Sequence, residues 1–280
     1  MAVILSYIQT RPLLEARKHG QAVVETSLDL GMTTSNVMLI TEGVTFPGGE
    51  QLDWSSIEKI SQSEGNCYTV AGQGIQAIQV FSSETNRLCS LMPTRGAPSM
   101  LIAGFVMHRI KELDPWQHAQ RMIATLAPVS GSVLDTATGL GYTAILAARA
   151  AESVTTIELD PGVQAIAQLN PWSQGLFANP KIMQVMGDAY EVVPTFADKS
   201  FDRIMHDPPT LKLAGELYSS AFYHELYRIL KRGGRLFHYI GDPKSKASGS
   251  VTRGVMRRLQ EAGFSRVVRR AEVYGVVAYK

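Results

Sequence analysis

Hydrophobic positions recur through the first hundred residues in short runs, each closed by a turn signal. Residues 37–45 carry Val, Leu, Ile and Thr and run into Pro47-Gly48-Gly49. Residues 67–70 stop before Gly72 and Gly74, and 75–81 stop at Ser82-Ser83. Runs of this kind predict a small antiparallel β unit. Helical signal interrupts it at 12–18 and at Trp54–Ser61. The pattern changes over 93–116, and beyond it strands and helices alternate. Ala119, Met122, Ile123 and Leu126 share one helical face across 116–126. Strands are predicted at Ser132–Asp135, 154–158, Ile182–Met186, Phe201–His206 and 235–240. Helices are predicted between and after them at 143–151, Pro161–Leu169, 216–230 and 251–262, with Gly233-Gly234 as the stop of the third. Two last β runs, at Arg266–Arg270 and 273–278, predict a closing hairpin. The expectation is an α/β fold: a mostly parallel seven-stranded sheet with helices on both faces, after a small β-rich N-terminal domain. We place the domains at 1–105 and 106–280.

In open sheets of this type, ligands lie beyond the carboxyl ends of the strands. The first four predicted strands end in an acid or in a turn that holds one: Asp135, Glu158, Asp188 and Asp207. The loop Asp135-Thr136-Ala137-Thr138-Gly139-Leu140-Gly141 turns tightly at its glycines and offers helix N–H groups to a ligand. Gly139 to Ala144 also fits G-x-G-x-x-A of the dinucleotide binders. Asp135 opposes that reading, because a carboxylate there repels a pyrophosphate and attracts an amino group or a sulfonium. Glu158 can accept both hydroxyls of a ribose. Asp188 is either a turn aspartate after Gly187 or the acceptor for an adenine amino group. Asp207-Pro208-Pro209-Thr210 holds a carboxylate on a loop stiffened by two prolines, which suits transfer chemistry governed by positioning.

Composition narrows the classes. With 45% apolar and 19% charged residues the chain is globular, and a net charge of +2 demands neither nucleic acid nor an anionic membrane. No apolar window is long enough for a membrane helix. The N-terminus lacks signal-peptide features, so the expected compartment is the cytoplasm. Two cysteines, Cys67 and Cys89, are too few for a disulfide scaffold or a zinc site, and no metal is expected.

These strand-end residues resemble the class I S-adenosylmethionine-dependent methyltransferases, Rossmann-like enzymes. The resemblance covers roughly 115–280 and rests on Asp135 with Gly139 and Gly141, Glu158, Gly187-Asp188, Asp207-Pro208-Pro209 and Gly233-Gly234. It implies S-adenosylmethionine as methyl donor. Asp135, Ala137, Gly139 and Gly141 would hold its methionine end, Glu158 its ribose and Asp188 its adenine. Asp207, Pro208 and Pro209 would face the acceptor. Ala137 stands where the family carries its first loop glycine. Thr210 replaces the aromatic residue of enzymes that methylate base amines, which weakens a base-flipping reading. The full chain also resembles an uncharacterised family of predicted archaeal methyltransferases. That likeness rests on Ser27-Leu28-Asp29-Leu30-Gly31, Met107-His108-Arg109, Asn170-Pro171-Trp172-Ser173 and His206 beside the Asp-Pro-Pro loop. The acceptor stays open between nucleic acid, such as RNA, and a small molecule.

Other residues have two readings each. His108 is a base or a linker residue, and Arg109 an anion holder or a linker residue. Trp172 covers the adenosine or packs in a core. Tyr218 lines an acceptor pocket or packs. His206 points away from Asp207 by strand alternation and is read as structural, and His238 as packed. The basic C-terminal third, including Lys231, Arg235, Lys244, Lys246, Arg257, Arg258 and Arg266, is a solvated face or an anion-binding one. The loop 241–250 is read as a lid. The rival functions are an aminopropyltransferase using decarboxylated S-adenosylmethionine and a polyamine, a nicotinamide-dependent oxidoreductase, and a non-catalytic adenosyl-binding module.

Overall fold

The computed structural model describes residues 2–72, 74–211, 213–241 and 248–280. They divide into two compact units, Met1–Trp116 with Gly162–Gln174, and Gln117–Pro161 with Gly175–Lys280.

The first unit is built from small antiparallel sheets. Val3–Leu5, Tyr68–Ala71 and Gly74–Ala77 form one. Val23–Thr26, Ser35–Leu39, Gly43–Thr45 and Gln51–Asp53 form a meander. Gln79–Ser82, Arg87–Met92, Ser99–Ile102 and Phe105–Val106 form the last. Helix Tyr7–Lys18 starts earlier than its apolar spacing suggests, because Ser6 and Gln9 make a capping box ahead of it. Helix Trp54–Ser61 begins where Asp53 accepts the Ser56 N–H at 2.7 Å. Leu13, Ile57 and Ile60 from these helices share a core with Leu5, Val37 and Leu52 from the strands and with Phe46 from the turn after Thr45. Two expected strands break. The run 37–45 folds back on itself at residues 40–42, where Ile40 and Gly43 exchange backbone hydrogen bonds. The run 75–81 divides at Ile78, which is buried and bonded to both Cys67 and Leu91. The two halves then pair in different sheets.

The second unit holds seven strands: β1 (Ser132–Asp135), β2 (Ser153–Glu158), β3 (Ile182–Met186), β4 (Phe201–His206), β5 (Leu230–Tyr239), β6 (Arg266–Arg270) and β7 (Gly275–Tyr279). Their order is β3-β2-β1-β4-β5-β7-β6. β1 pairs in parallel with both β2 and β4, and β7 is antiparallel to β5 and β6. The chain therefore runs outward from β1 through β2 and β3, then returns to the other side of β1 at β4. The gap between β1 and β4 is the switch point, where sheets of this kind leave a crevice at their carboxyl ends. Four helices of this unit are used below: α1 (Tyr142–Ala147), α2 (Ala189–Val192), α3 (Ser220–Ile229) and α4 (Ser248–Glu261).

α3 buries Phe222, Leu226 and Ile229, spaced by four and three, in a core with Leu134, Ile204 and Leu236 from the strands. Each such side chain contributes roughly 1.5–3 kcal/mol on burial. The sequence pattern predicts one helix over 216–230, and the structure breaks it. Gly215–Tyr218 is a short 3-10 turn, and Ser219 caps α3 by accepting the Phe222 N–H at 3.1 Å. Gly233-Gly234 is not a helix stop either. α3 ends at Ile229, and both glycines lie inside β5, in an irregular stretch where Phe201 faces Leu230 but Arg203 faces Arg235. Gly233 takes φ +77 there and donates to the Lys280 carbonyl, a conformation that favours glycine. Two more ends differ: α1 stops at Ala147, and residues 271–273 form a 3-10 turn ahead of β7.

Candidate active site

Parallel register fixes which strand ends meet. Asp135 on β1 lies opposite Thr156 on β2 and Met205 on β4, so Glu158 and Asp207 each sit two residues further along on either side. Asp135 is 1% exposed. It accepts the Thr143 hydroxyl at 2.6 Å and the Ala137 N–H at 3.3 Å. Burial nevertheless pushes its carboxyl up to about 7, with the charges of Asp207 and Glu158 adding to the rise. Glu158 accepts the Gly139 N–H at 2.8 Å and the Asp160 N–H at 3.0 Å. Its carboxyl also rises to about 7, first by burial. Asp207 makes no hydrogen bond and no ion pair among the described residues, and burial alone lifts it to about 7. Three carboxylates thus converge with no cation paired to any of them among the described residues.

The connecting loop follows from its glycines. Gly141 caps α1 at φ +74 with no side-chain bond, and an added Cβ would strike the Leu176 side chain at 2.8 Å. Gly139 is also left-handed, at φ +53, but a Cβ there would meet nothing within 4 Å. The first glycine is fixed by packing, whereas the second faces open space. Ala137 offers its N–H to Asp135, and Thr138 Oγ1 lies 2.7 Å from Thr156 Oγ1. At the end of β3, Asp188 caps α2 by accepting the Tyr190 N–H at 2.8 Å through Oδ1. Its second oxygen is directed to no other protein group among the described residues.

The Asp207-Pro208-Pro209 loop is held from below. The Tyr218 hydroxyl donates to the Pro209 carbonyl at 3.0 Å. His206 is fully buried, as strand alternation requires. Its Nε2–H donates to the Leu217 carbonyl at 3.0 Å, which leaves Nδ1 to accept the Thr136 hydroxyl at 2.7 Å. Burial depresses its pKa to about 3, so the ring is neutral. His238 is buried beside it, with ring centroids 4.4 Å apart, and is bonded to the Tyr223 hydroxyl at 2.8 Å. Neither histidine faces the crevice as a base.

Some sequence candidates lie elsewhere. His108 Nδ1 is 3.1 Å from Ser99 Oγ, and Arg109 pairs with Glu112 at 2.6 Å, both within the first unit. Trp172 also belongs to that unit, donating to the Leu30 carbonyl at 3.1 Å and meeting Trp116 edge to face. Of the basic C-terminal residues, Lys231 pairs with Asp202 and Arg257 with Glu261, while Arg235 and Arg266 lie over the Tyr279 ring. The core of the expected lid, 242–247 with Lys244 and Lys246, lies outside the described residues. Among the described residues, no His, Cys, Asp and Glu cluster is arranged for a metal ion, and no helix is long and apolar enough to cross a membrane. Sequence reasoning missed Thr136 and Thr143, the hydroxyls that bind His206 and Asp135. The available signal was two threonines after a buried acid, one directly following it and one at the next helix start.

Residues 134–238 match the model of a methyltransferase domain. A spermidine synthase solved with the transition-state analogue AdoDATO has the same fold over 73% of this chain and 75% of its own, with a TM-score of 0.60 and 19% identity. The domain match runs from β1 into β5, and the likeness to spermidine synthase shows a shared fold. The chain is 37% identical to the uncharacterised protein MJ1233 of Methanocaldococcus jannaschii, over all of this chain and 97% of that one, and belongs to its family. A shorter likeness, 34% identity over 94 residues, links it to the polyamine aminopropyltransferase of Sulfurisphaera tokodaii and covers 32% of this chain and 31% of that one.

Proposed function

We propose that this protein transfers the methyl group of S-adenosylmethionine to an acceptor held at Asp207. The observation that carries the reading is the convergence of Asp135, Glu158 and Asp207, with no cation paired to them among the described residues, beside a loop whose Gly139 has open space at its Cβ position. The donor set fits that ligand. Its ammonium and sulfonium suit an acidic crevice better than a pyrophosphate does. Glu158 keeps one acceptor position on each oxygen for the two ribose hydroxyls, and Asp188 keeps Oδ2 for the adenine amino group. When bound, S-adenosylmethionine supplies a carbon whose bond to sulfur breaks as the acceptor's lone pair attacks, the bonding electrons staying on sulfur.

The protein's own part is positional. Pro208 and Pro209 fix the backbone that presents Asp207, and Tyr218 holds the loop by its carbonyl. Asp207 orients the acceptor and takes its proton. With its pKa near 7 the carboxylate is poised to do so at neutral pH. Thr143 keeps Asp135 facing the loop.

A second reading is aminopropyl transfer. It is supported by the likeness to spermidine synthase beyond the methyltransferase domain and by three carboxylates that have no cation among the described residues, since decarboxylated S-adenosylmethionine carries no carboxylate to meet them. The acceptor, small molecule or RNA, is to be found by assay. The purified protein is titrated by calorimetry with S-adenosylmethionine, its decarboxylated form, S-adenosylhomocysteine and NADH, then incubated with each donor and fractionated RNA, polyamine and metabolite pools. Release of S-adenosylhomocysteine supports methyl transfer, and release of methylthioadenosine supports the second reading. Asp207→Asn is expected to lower turnover roughly 100-fold while donor binding stays. Binding of NADH alone would overturn both readings. Binding with unchanged biological activity in Asp207→Asn would mark a non-catalytic module.

A further inference from the structure

The 3-10 turn Gly215–Tyr218 sits where two hydrogen-bonded connections meet. One comes from the loop after β1. Thr136, next to Asp135, gives its hydroxyl to His206 Nδ1 at 2.7 Å, and His206 Nε2–H continues to the Leu217 carbonyl at 3.0 Å. The other goes to the loop after β4. Tyr218, next to Leu217, gives its hydroxyl to the Pro209 carbonyl at 3.0 Å. The path from Asp135 to Asp207 is therefore continuous through one imidazole and one turn of backbone.

Each link has a fixed direction. The Leu217 carbonyl only accepts, so the His206 proton is on Nε2 and Nδ1 must accept from Thr136. Burial keeps the ring neutral, so both bonds persist across the ordinary pH range. The ring has little freedom to move alone, being packed at 4.4 Å from His238, 5.4 Å from Phe222 and 6.5 Å from Tyr218, centroid to centroid. The turn is also held from its far side, where Arg258 Nε on α4 donates to the Tyr218 carbonyl at 2.9 Å. A shift of Thr136 must then be followed by His206, or the buried imidazole loses the hydroxyl at Nδ1, whose alternative acceptor is the Met205 carbonyl at 3.5 Å.

We propose that His206 and Tyr218 are positioning residues that transmit occupancy of the loop at Gly139 to the placement of Asp207. The inference rests on the reading that this loop binds the adenosyl donor. Its consequence is ordered assembly. A bound donor settles Thr136, and through His206, Leu217 and Tyr218 it stiffens the Asp-Pro-Pro loop before the acceptor arrives.

Hydrogen exchange with mass spectrometry on the full chain, with and without S-adenosylhomocysteine, tests it. Thr136→Val and Tyr218→Phe each remove one oxygen with little change of volume, so both are expected to fold with a Tm close to that of the parent. In the parent, the ligand slows exchange in peptides covering 207–217. In each variant that protection is expected to fall about fivefold, the weight of one neutral hydrogen bond. Calorimetry on the same samples separates the two ideas. If the parent does not bind S-adenosylhomocysteine, the functional reading fails and this proposal with it. If it binds but leaves 207–217 unprotected, or if the variants keep the parent's protection, the proposal alone is overturned.

Discussion

Replacing Glu158 with glutamine isolates what its second oxygen does. The carboxylate holds the Gly139 N–H with one oxygen and the Asp160 N–H with the other, leaving one acceptor position on each for a ribose hydroxyl. In Glu158→Gln one oxygen becomes an NH₂ group. Whichever way the amide turns, it confronts a backbone donor with a donor, and one ribose hydroxyl loses its acceptor. A hydrogen bond to a charged group is worth roughly 1.5–3 kcal/mol, so the dissociation constant for S-adenosylhomocysteine should rise roughly 10- to 150-fold. Glu158→Ala removes both acceptors and should cost about twice that free energy. Stability should change much less in Glu158→Gln. The orphaned N–H is offset by removal of a buried carboxylate whose pKa is raised to about 7. Calorimetric titration at neutral pH, paired with thermal melts, reads both quantities. In the parent, affinity should also weaken as pH falls below about 7, where Glu158 takes up a proton, and that dependence should flatten in Glu158→Gln. If Glu158→Gln binds within about threefold of the parent, less than one neutral hydrogen bond would give, the ribose does not rest on this residue.

Further expectations follow from the same geometry. Asp135, Glu158 and Asp207 hold protons to about pH 7 in the folded chain and release them near ordinary carboxyl values when unfolded. Their contribution to stability is thus full below about pH 4 and is lost as pH rises to about 7, so the melting temperature of the ligand-free protein should fall across that window, and a flat or rising profile would contradict it. Gly139→Ala costs only the left-handed φ, roughly 1–2 kcal/mol, yet should abolish adenosyl binding by filling the open space. Gly141→Ala should lower the melting temperature more, because its Cβ meets Leu176, and melts with titrations on both variants would show whether the contrast holds. Thr143→Val removes the 2.6 Å bond to Asp135, so that carboxyl should titrate above 7, visible by carboxyl NMR as an upward shift.

The second unit was legible in the sequence because its signals are local. Ser132–Asp135, Ile182–Met186, Phe201–His206 and Arg266–Arg270 are where the apolar pattern places them. Ser132–Asp135 and Phe201–His206 are short, mostly buried runs closed by a turn, and parallel pairing sets Asp135 and Asp207 at the carboxyl edge. The breaks were less legible, since packing decides them. Nothing in the spacing of 216–230 says that Ser219 will cap a new helix, although Leu217 and Tyr218 reach their partners only because it does. The glycines at 233–234 carry the composition of a helix stop, but pairing with Phe201 and Arg203 draws them into a strand. In the first unit, Arg87–Met92 and Ser99–Ile102 went unrecognised because their pattern is not a clean alternation. Residues 89–91 are buried in succession, which a period-two reading does not find.

Elsewhere in the second unit, several acids are paired with cations. Asp202 binds Lys231 and the Ser132 N–H, Asp198 and Glu225 both bind Arg228, and Asp202 sits below its ordinary pKa as a result. The chain therefore has cations and places them on acids that serve the fold. At the ends of β1, β2 and β4 it does the opposite. Three carboxylates are gathered together, with backbone N–H groups and one hydroxyl as their only partners among the described residues. Folding alone gives no reason to keep such an arrangement, since charge burial without pairing is destabilising. A cationic ligand relieves it, and the relief adds to binding. The contrast between acids paired at Asp198, Asp202 and Glu225 and acids without a cation among the described residues at Asp135, Glu158 and Asp207 supports the proposed site more firmly than any single motif does.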